Sequence, residues 1–596
     1  MLAVAQAAAQ SRACHPIWRR QMLATTAGLA SLVSSLGADI RVAGYMGTVS
    51  DVKVLSRTQP SKIKPLKESS IPKSVDLTLL AKWSMNYLTG TITVERNYES
   101  SYGNWPLNYP PYSIAGDAIA GGDTECRNDL AFVLMRQMSG LKTGVGIQNG
   151  VRNRLLKHYH PSGLFIPTSG DTDVVWATAW FTLGLIESYV TTGDKPALEK
   201  AKRSLETMRK HLMMTDDQGR LWLDPPATID WEGKPLKITY RASLDFCAME
   251  PYVRYHEVTG DKEMLKIAQG LADGRLDGRA KGHDGTHMHS MLHGVIPIAY
   301  LGAITKNANY LDWAEERFKE TDEFRTDYGW VAAVRDHNFS DPKISETCAV
   351  ADLMKIAIYL GVGGRSSYWD FVERTTLNYL PREQFFVDQT FKDLWTKQNF
   401  SKPEALVNGM KLVKRMEGGF FCRTDPEDKW SGGTLSLEGC CPPTGMAGMH
   451  TAWDHIVTTN KDGVFVNMAL NHHASECNVV TFQPEQGRVT VAAREAATFH
   501  IRVPGFAPRK EIKAWRNGKK EKELAWKGDY VEFTDAKAGD ELTVTYPLVT
   551  FTQTMKRGGT DYTIGWKGNS VTSVSPSGKV WPLFQTGAFV TPPYPQ

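Results

Sequence analysis

From about residue 125 to residue 460, apolar side chains recur at three- and four-residue spacing, which lines them along one face of a helix. WATAWFTLGLIESYV, the turn TTGDK and PALEKAKRSLETMRKHL keep that spacing on both sides of a Gly-Asp pair, predicting a helical hairpin. The plan recurs at FCAMEPYVRYHEV, turn TGDK (259–262), EMLKIAQGLAD, and at VIPIAYLGAI, turn TKNAN (305–309), YLDWAEERF. A fourth copy is AVADLMKIAIYL, turn GVGGRSS (361–367), YWDFVERTTLNYL. These hairpins lie about 45–70 residues apart at irregular intervals, which suits a toroid of paired helices better than a solenoid with its fixed period. Residues 125–460 are therefore expected to form an (α/α)6-type helical barrel.

Near residue 460 the period changes to two. GVFVNMAL, NVVTFQP, RVTVAA, TFHIRVPG, YVEFTD and ELTVTYPL alternate apolar and polar positions between Gly, Lys and Asn turns, the pattern of half-buried strands. Residues 461–596 are expected to form a β-sandwich with a C-terminal extension, DYTIGWKGNSVTSVSPSG adding strands to it. Residues 44–124 contain VDLTLLAKWSMNYL and the proline-rich loop WPLNYPPYS (105–113), and no role is assigned to them. The fold class is α+β and multidomain, a helical barrel followed by a β-sandwich.

The 596 residues leave room for several domains, and 69 Lys and Arg against 65 Asp and Glu give a net charge of only +4. With no long basic run, neither nucleic acid nor an anionic membrane surface is an expected partner. A small or neutral ligand is expected instead, and the 17 tryptophans offer flat apolar faces of the kind that sit against sugar rings. The beginning of the chain differs from the rest. Residues 19–36, RRQMLATTAGLASLVSSL, resemble a twin-arginine export signal with Arg19 and Arg20 as the pair. Residues 1–43 are assigned to that signal, with a cut near Ala38 or Ala43 and a periplasmic or extracellular destination. No later window holds 18 consecutive apolar residues, so no membrane span is expected after its removal. Loss of Cys14 with the signal leaves Cys126, Cys247, Cys348, Cys422, Cys440, Cys441 and Cys477, an odd count that argues against a complete disulfide framework.

Two short pieces concentrate the chemistry. SETC places Glu346 and Cys348 just ahead of a helix, and in EGCCPPTG two prolines take the chain out of regular structure after Cys440 and Cys441, before another helix begins. Helix N-termini favour the thiolate, the form of cysteine that binds metal or attacks carbon. Three sulfurs and one carboxylate make a tetrahedral set for Zn²⁺. The spacing matches no standard finger, so buried inert cysteines and a strained vicinal Cys440–Cys441 disulfide remain open on residue types alone.

These pieces resemble the β-L-arabinofuranosidase group, glycoside hydrolase family 127 and relatives such as family 146. The likeness covers roughly residues 280–550 and continues through DGVFVNMAL and FHIRVPGFA. It implies Glu346, Cys348, Cys440 and Cys441 as zinc ligands and Cys440 as nucleophile. Where relatives carry Val-Arg-Glu-His-Phe with Glu as acid/base, this chain reads AVRDHNFSDP, so Asp336 takes the acid/base place one methylene shorter, and Asn338 is extra. Upstream, HDGTHMHSMLHGVIPI holds His283, His287, His289 and His293 where relatives contact the sugar; His289 and His293 are i, i+4 and share a helix face. Sugar contact by His287, His289, His293 and His337 is the favoured reading, against a second metal or structural histidines. No Glu lies between His289 and His293, so the H-E-x-x-H protease motif is absent.

The resemblance implies an exported retaining glycoside hydrolase acting on a plant or microbial oligosaccharide or glycan. A zinc-bound thiolate would replace the usual nucleophilic carboxylate, and the negative charge that four anionic ligands leave on a dication should loosen its bond to Cys440 during attack. Two other classes compete: a non-catalytic carbohydrate-binding protein with a structural zinc, and an (α/α)-barrel polysaccharide lyase using pairs such as Tyr159–His160 or Tyr255–His256.

Overall fold

The computed structural model describes residues 52–58, 72–100, 103–104, 122–167, 173–240, 247–278, 286–335, 344–399, 403–431, 435–585 and 588–595. Arg19, Arg20 and the whole expected signal lie outside them.

Six helices form a closed inner ring: α1 (Thr124–Ser139), α2 (Val174–Thr192), α3 (Glu250–Thr259), α4 (Ile296–Thr305), α5 (Thr347–Val362) and α6 (Cys441–Asp454). Each packs on the next, and α6 returns to α1. Among the inner helices α2 is buried all round, every residue from Val174 to Ser188, whereas α3 buries only Glu250, Pro251, Tyr252, Val253 and Tyr255. An outer helix can bury one stripe instead. Lys195–Leu212, which packs on α2, buries Ala197, Ala201, Ser204, Leu205, Thr207, Met208 and Leu212 and leaves the rest partly or fully exposed.

The turns work as their residues suggest. Gly193 closes α2 with φ of 75°, a conformation that needs no Cβ, and the Asp194 side chain then caps the outer helix by accepting from the Ala197 amide. Gly260 and Asp261 repeat the device between α3 and Lys262–Leu276. Because inner and outer helices alternate along the chain, the inner helices all begin at one end of the barrel. Leu77–Gly90, from the stretch that the sequence left without a role, is an outer helix packed on α1 and α6. No helix among the described residues is long and apolar enough to cross a membrane.

The strands after α6 build three sheets. One has the order Val457–Asn460, Gly463–Val466, Ala497–Arg502, Tyr530–Ala536, Ala525–Lys527, and a second runs His472–His473, Cys477–Thr481, Arg488–Ala493, Glu541–Thr545, Lys513–Arg516, Lys519–Lys520. Period-two burial holds: Cys477, Val479 and Thr481 are buried while Asn478 and Val480 are less so. The C-terminal extension does something the local pattern does not disclose. Thr560–Lys567 and Ser570–Ser575 join Leu548–Arg557 in a third sheet whose other edge is Val52–Thr58, antiparallel to Leu548–Arg557.

One buried ionic knot ties barrel to sheets. Arg502, with 2% of its side chain exposed, donates to Asp370 at 2.6 Å and to Glu373 at 2.7 Å, both on the outer helix Tyr368–Asn378. The amides of Gly505 and Ala469 complete the carboxylates. Arg502→Ala strands two buried anions, and we expect a loss of about 3–5 kcal/mol of unfolding free energy by chemical denaturation. A second buried acid gives a pH signature. Burial pushes Glu383 up from 4.5 to about 7, against hydrogen bonds from Thr347 and Thr424 that favour its charged form. A raised carboxyl stabilises the fold below its unfolded value, and that contribution is lost as pH rises through the folded value. Relative to Glu383→Gln, the parent should therefore lose about 2 kcal/mol between pH 5 and 7.5, read from urea midpoints at each pH.

Candidate active site

Five short segments of backbone, none of them a regular strand, assemble the site. His287 pairs with Val334, and the Arg335 amide donates to the Thr286 carbonyl. Ala332 pairs with Ser345, the Ser345 amide donates to Thr424, and the Cys422 amide donates to Ser436. This ladder fixes the approach of the segments that enter α5 and α6, so the first turns of those helices meet.

Glu346 is the N-cap of α5 and Cys348 its second residue; Cys440 is the N-cap of α6, which starts at Cys441. Pro442 and Pro443 thus lie inside the first turn rather than ahead of it. That turn tolerates them because its N–H groups have no partner within the helix. The Sγ atoms of Cys348 and Cys441 are 3.5 Å apart and those of Cys440 and Cys441 3.8 Å. Glu346 Oε1 stands 3.8 Å from Cys440 Sγ and 3.9 Å from Cys441 Sγ, and all four donors lie within 4.8 Å of one another. A tetrahedral cation with bonds of about 2.3 Å to sulfur needs S···S edges of about 3.8 Å, so the donor set fits one. Neither a vicinal disulfide nor any other joins the described cysteines. Cys348 and Cys441 are fully buried and Glu346 is 9% exposed, whereas Cys440 is only half-buried. Cys422 packs against the buried sulfurs but lies outside the four-donor group.

Electrostatics separate the members. Burial pushes the Cys348 and Cys441 thiols up, while hydrogen bonds from Cys348 and Cys441 hold Cys440 well below the usual thiol range. Burial alone would raise Glu346, but the 2.7 Å bond to His287 Nε2 and the nearby charges of His287, His289 and Arg127 outweigh it and hold the carboxyl down to about 2.

Under the sulfurs lies a second layer. His289 Nδ1 is 2.5 Å and His293 Nδ1 3.4 Å from the carboxylate of Asp352, one turn along α5 from Cys348, and all three residues are buried. Asp352 outweighs burial and raises His289; burial wins at His293 and lowers it. These three are a possible metal group, yet tetrahedral bonds of about 2.0–2.2 Å need an N···O edge of about 3.3–3.6 Å, longer than the His289–Asp352 contact. Arg127 on α1 joins the layers. Its guanidinium lies 4.9 Å from the Trp176 and Trp180 ring centres, pairs with Asp123 at 2.7 Å and donates to Thr444 Oγ1 at 2.9 Å. Thr444 in turn donates to the Cys440 carbonyl.

The expected site residues thus divide. Glu346, Cys348, Cys440 and Cys441 come together, His287 touches them through Glu346, and His289 and His293 sit beneath. Asp336, His337, His283 and Asn338 lie outside the described residues. Arg127, Asp352, Asp123, Trp176 and Thr444 escaped the sequence reading; only the i, i+4 step from Cys348 to Asp352 offered a signal. The Tyr-His pairs proposed for a lyase are engaged in local structure: the Tyr159 hydroxyl donates to the Lys200 carbonyl and the His256 ring bonds the Asp261 carbonyl.

No family model matches the chain, and no curated protein sequence does. Solved structures do match. A family 127 glycoside hydrolase described as a β-arabinofuranosidase superposes with a TM-score of 0.55 at 15% identity, covering 87% of this chain and 85% of its own. A family 127 β-L-arabinofuranosidase from Geobacillus stearothermophilus T6 gives 0.53 at 14% identity, covering 82% and 80%. A third structure, described as a glycoside hydrolase, gives 0.52 at 13%, covering 75% and 76%. With its ring of six inner helices followed by antiparallel sheets, the chain has the fold of the β-arabinofuranosidases of glycoside hydrolase family 127.

Proposed function

We propose that the chain is an exported retaining glycosidase of the β-L-arabinofuranosidase type, acting on a plant or microbial glycan with Cys440 as nucleophile and Asp336 as acid/base. The observation that carries this reading is the exposure pattern of the sulfur cluster: of three thiols packed around one carboxylate at the barrel's N-terminal end, only Cys440 is not buried. A staple would have no need to leave one sulfur open.

Glu346, Cys348, Cys440 and Cys441 would hold zinc, the soft donor set and its edges favouring that ion. Zinc bound there would keep the coordinated thiols deprotonated at neutral pH. In the first step the Cys440 sulfur bonds the anomeric carbon as the bond to the leaving oxygen breaks, and Asp336 gives its proton to that oxygen. In the second, the Asp336 carboxylate takes a proton from water, whose oxygen bonds the anomeric carbon as the C–S bond breaks. Two inversions leave the configuration retained. Support for Asp336 comes from its neighbour: Arg335 is held by its amide to Thr286, next to His287, which touches Glu346. Arg127 offsets part of the negative charge around Cys440. His287, at the edge of the cluster, and His337 are the histidines proposed to meet sugar hydroxyls, while His289 and His293 are buried beside Asp352.

Assayed on an aryl β-L-arabinofuranoside, Cys440→Ser should lose roughly 10³-fold or more in kcat/KM. Asp336→Asn should lose about 10²–10⁴-fold in turnover while metal analysis still finds one zinc per chain. Parent-like rates in both variants, or unchanged sugar affinity in a chain that never hydrolyses, would mark the cluster as a structural site in a binding protein. Ultraviolet-absorbing products from uronate polymers would mark a lyase.

A further inference from the structure

The barrel lumen holds a cavity displaced from the sulfur cluster toward the C-terminal ends of the inner helices. Each of the six contributes to it, Leu134, Glu187, Glu257, Tyr300, Tyr359 and Asp454 coming from α1 to α6 in turn, and its volume is about 120 Å³. Trp180 belongs to its wall and also packs on His293 and Arg127, so one aromatic layer separates the two sites.

Charge is graded along this cavity. At the buried end Lys355 Nζ donates to Glu250 Oε1 at 2.6 Å, the two side chains being 9% and 7% exposed. The other oxygen of that carboxylate, Glu250 Oε2, is buried and has no hydrogen-bond partner. At the open end Glu257 and Asp454 have 40% and 54% of their side chains exposed. Carboxylates outnumber cations. Against Glu187, Glu250, Glu257 and Asp454 stand Lys355 and Arg254, Arg254 already paired with Glu187 at 2.6 Å and with Glu257, while at the rim the His455 ring lies 3.9 Å from Asp454. His450 does not redress the balance, because burial lowers it toward the neutral form. Between the two acidic ends the walls are apolar: Leu130, Leu134, Leu183 and Trp180 face the stacked rings of Tyr300 and Tyr359, whose centres are 4.4 Å apart.

An ion-paired floor whose carboxylate keeps one unsatisfied oxygen, an apolar barrel and an acidic rim match a molecule with two cationic heads and a hydrocarbon middle. We propose that this lumenal cavity binds a linear aliphatic diamine, one ammonium on Glu250 Oε2 and the other between Glu257 and Asp454. An unpaired buried carboxylate oxygen is costly, and an ammonium donor satisfies it while restoring charge balance. The tyrosine and tryptophan faces add attraction for the cationic ends and cover the methylenes.

Isothermal titration of the full chain with putrescine, at about 0.15 M NaCl to screen non-specific surface binding, should give saturable binding of one molecule per chain. Butylamine, with one head, should bind at least about tenfold more weakly, the worth of one lost charge pair. Asp454→Asn, at the exposed rim, should weaken putrescine at least about fivefold without disturbing the fold, and Glu250→Gln should do so more strongly. Cys440→Ser should bind putrescine like the parent. The proposal is overturned by absence of saturable heat, by equal affinity for butylamine, by displacement with equimolar KCl, or by binding that survives both acid substitutions. Loss of binding in Cys440→Ser would also overturn it, since the diamine would then sit at the sulfur cluster.

Discussion

Every distance in the sulfur cluster depends on how closely α5 and α6 approach at their first turns. Two glycines set that approach. A Cβ on Gly448 would come within 2.7 Å of the Ala351 Cβ, and one on Gly445 within 2.8 Å of the Thr347 side chain. Larger residues at either place would push the helices apart by more than the tolerance of a metal tetrahedron, whose edges are fixed by bond lengths. The sequence CPPTGMAG therefore encodes two things in one turn: sulfurs at the helix start and the bare backbone that lets them reach Cys348. Thr347, between Glu346 and Cys348, anchors the opposite side through the buried Glu383 and the Phe421 carbonyl.

Charge gives the cluster its second constraint. Four donors that can each carry a negative charge lie mutually within 4.8 Å, mostly out of solvent, with Arg127 and His289 as buried cationic groups beside them. Like charges this close in a low dielectric are not held ionised together without a cation among them. Protonation and metal binding are thus alternative ways to neutralise the same atoms. Arg127 needs its own support, and Asp123 and the two tryptophan faces give it; its 3.5 Å contact with His289 links the sulfur layer to the Asp352 layer.

Much of this was legible from the order of residues, for reasons that differ by element. The four helical hairpins announce themselves because each pairs two runs of helical apolar spacing across a short polar or glycine-rich turn, Gly-Asp in two of them. SETC and GCC are legible because soft ligands cluster locally even when the pairs are 93 residues apart. Val52–Thr58 was not, since its partner strand begins at Leu548 and nothing local marks a pairing across that separation. Arg127 and Asp352 were missed for a related reason. Each is an ordinary charged residue, Arg127 in the polar first turns of α1 and Asp352 within the apolar α5, and its significance comes from what the neighbouring helix presents at the same height.

The vicinal pair shows how one residue of register divides two roles. Cys440 and Cys441 are adjacent, yet at a helix start successive side chains diverge by about 100° around the axis. Cys441, inside the helix, turns to α5 and is buried 3.5 Å from Cys348; Cys440, at the cap, has only the flank of the cluster behind it and keeps contact with solvent. Both sulfurs sit in the field of the same helix N-terminus, so the dipole favours both thiolates alike. Access, not intrinsic acidity alone, then decides which sulfur can meet a carbon atom from outside. The Thr444 hydroxyl, held by Arg127, fixes the Cys440 carbonyl and with it the direction in which that sulfur points.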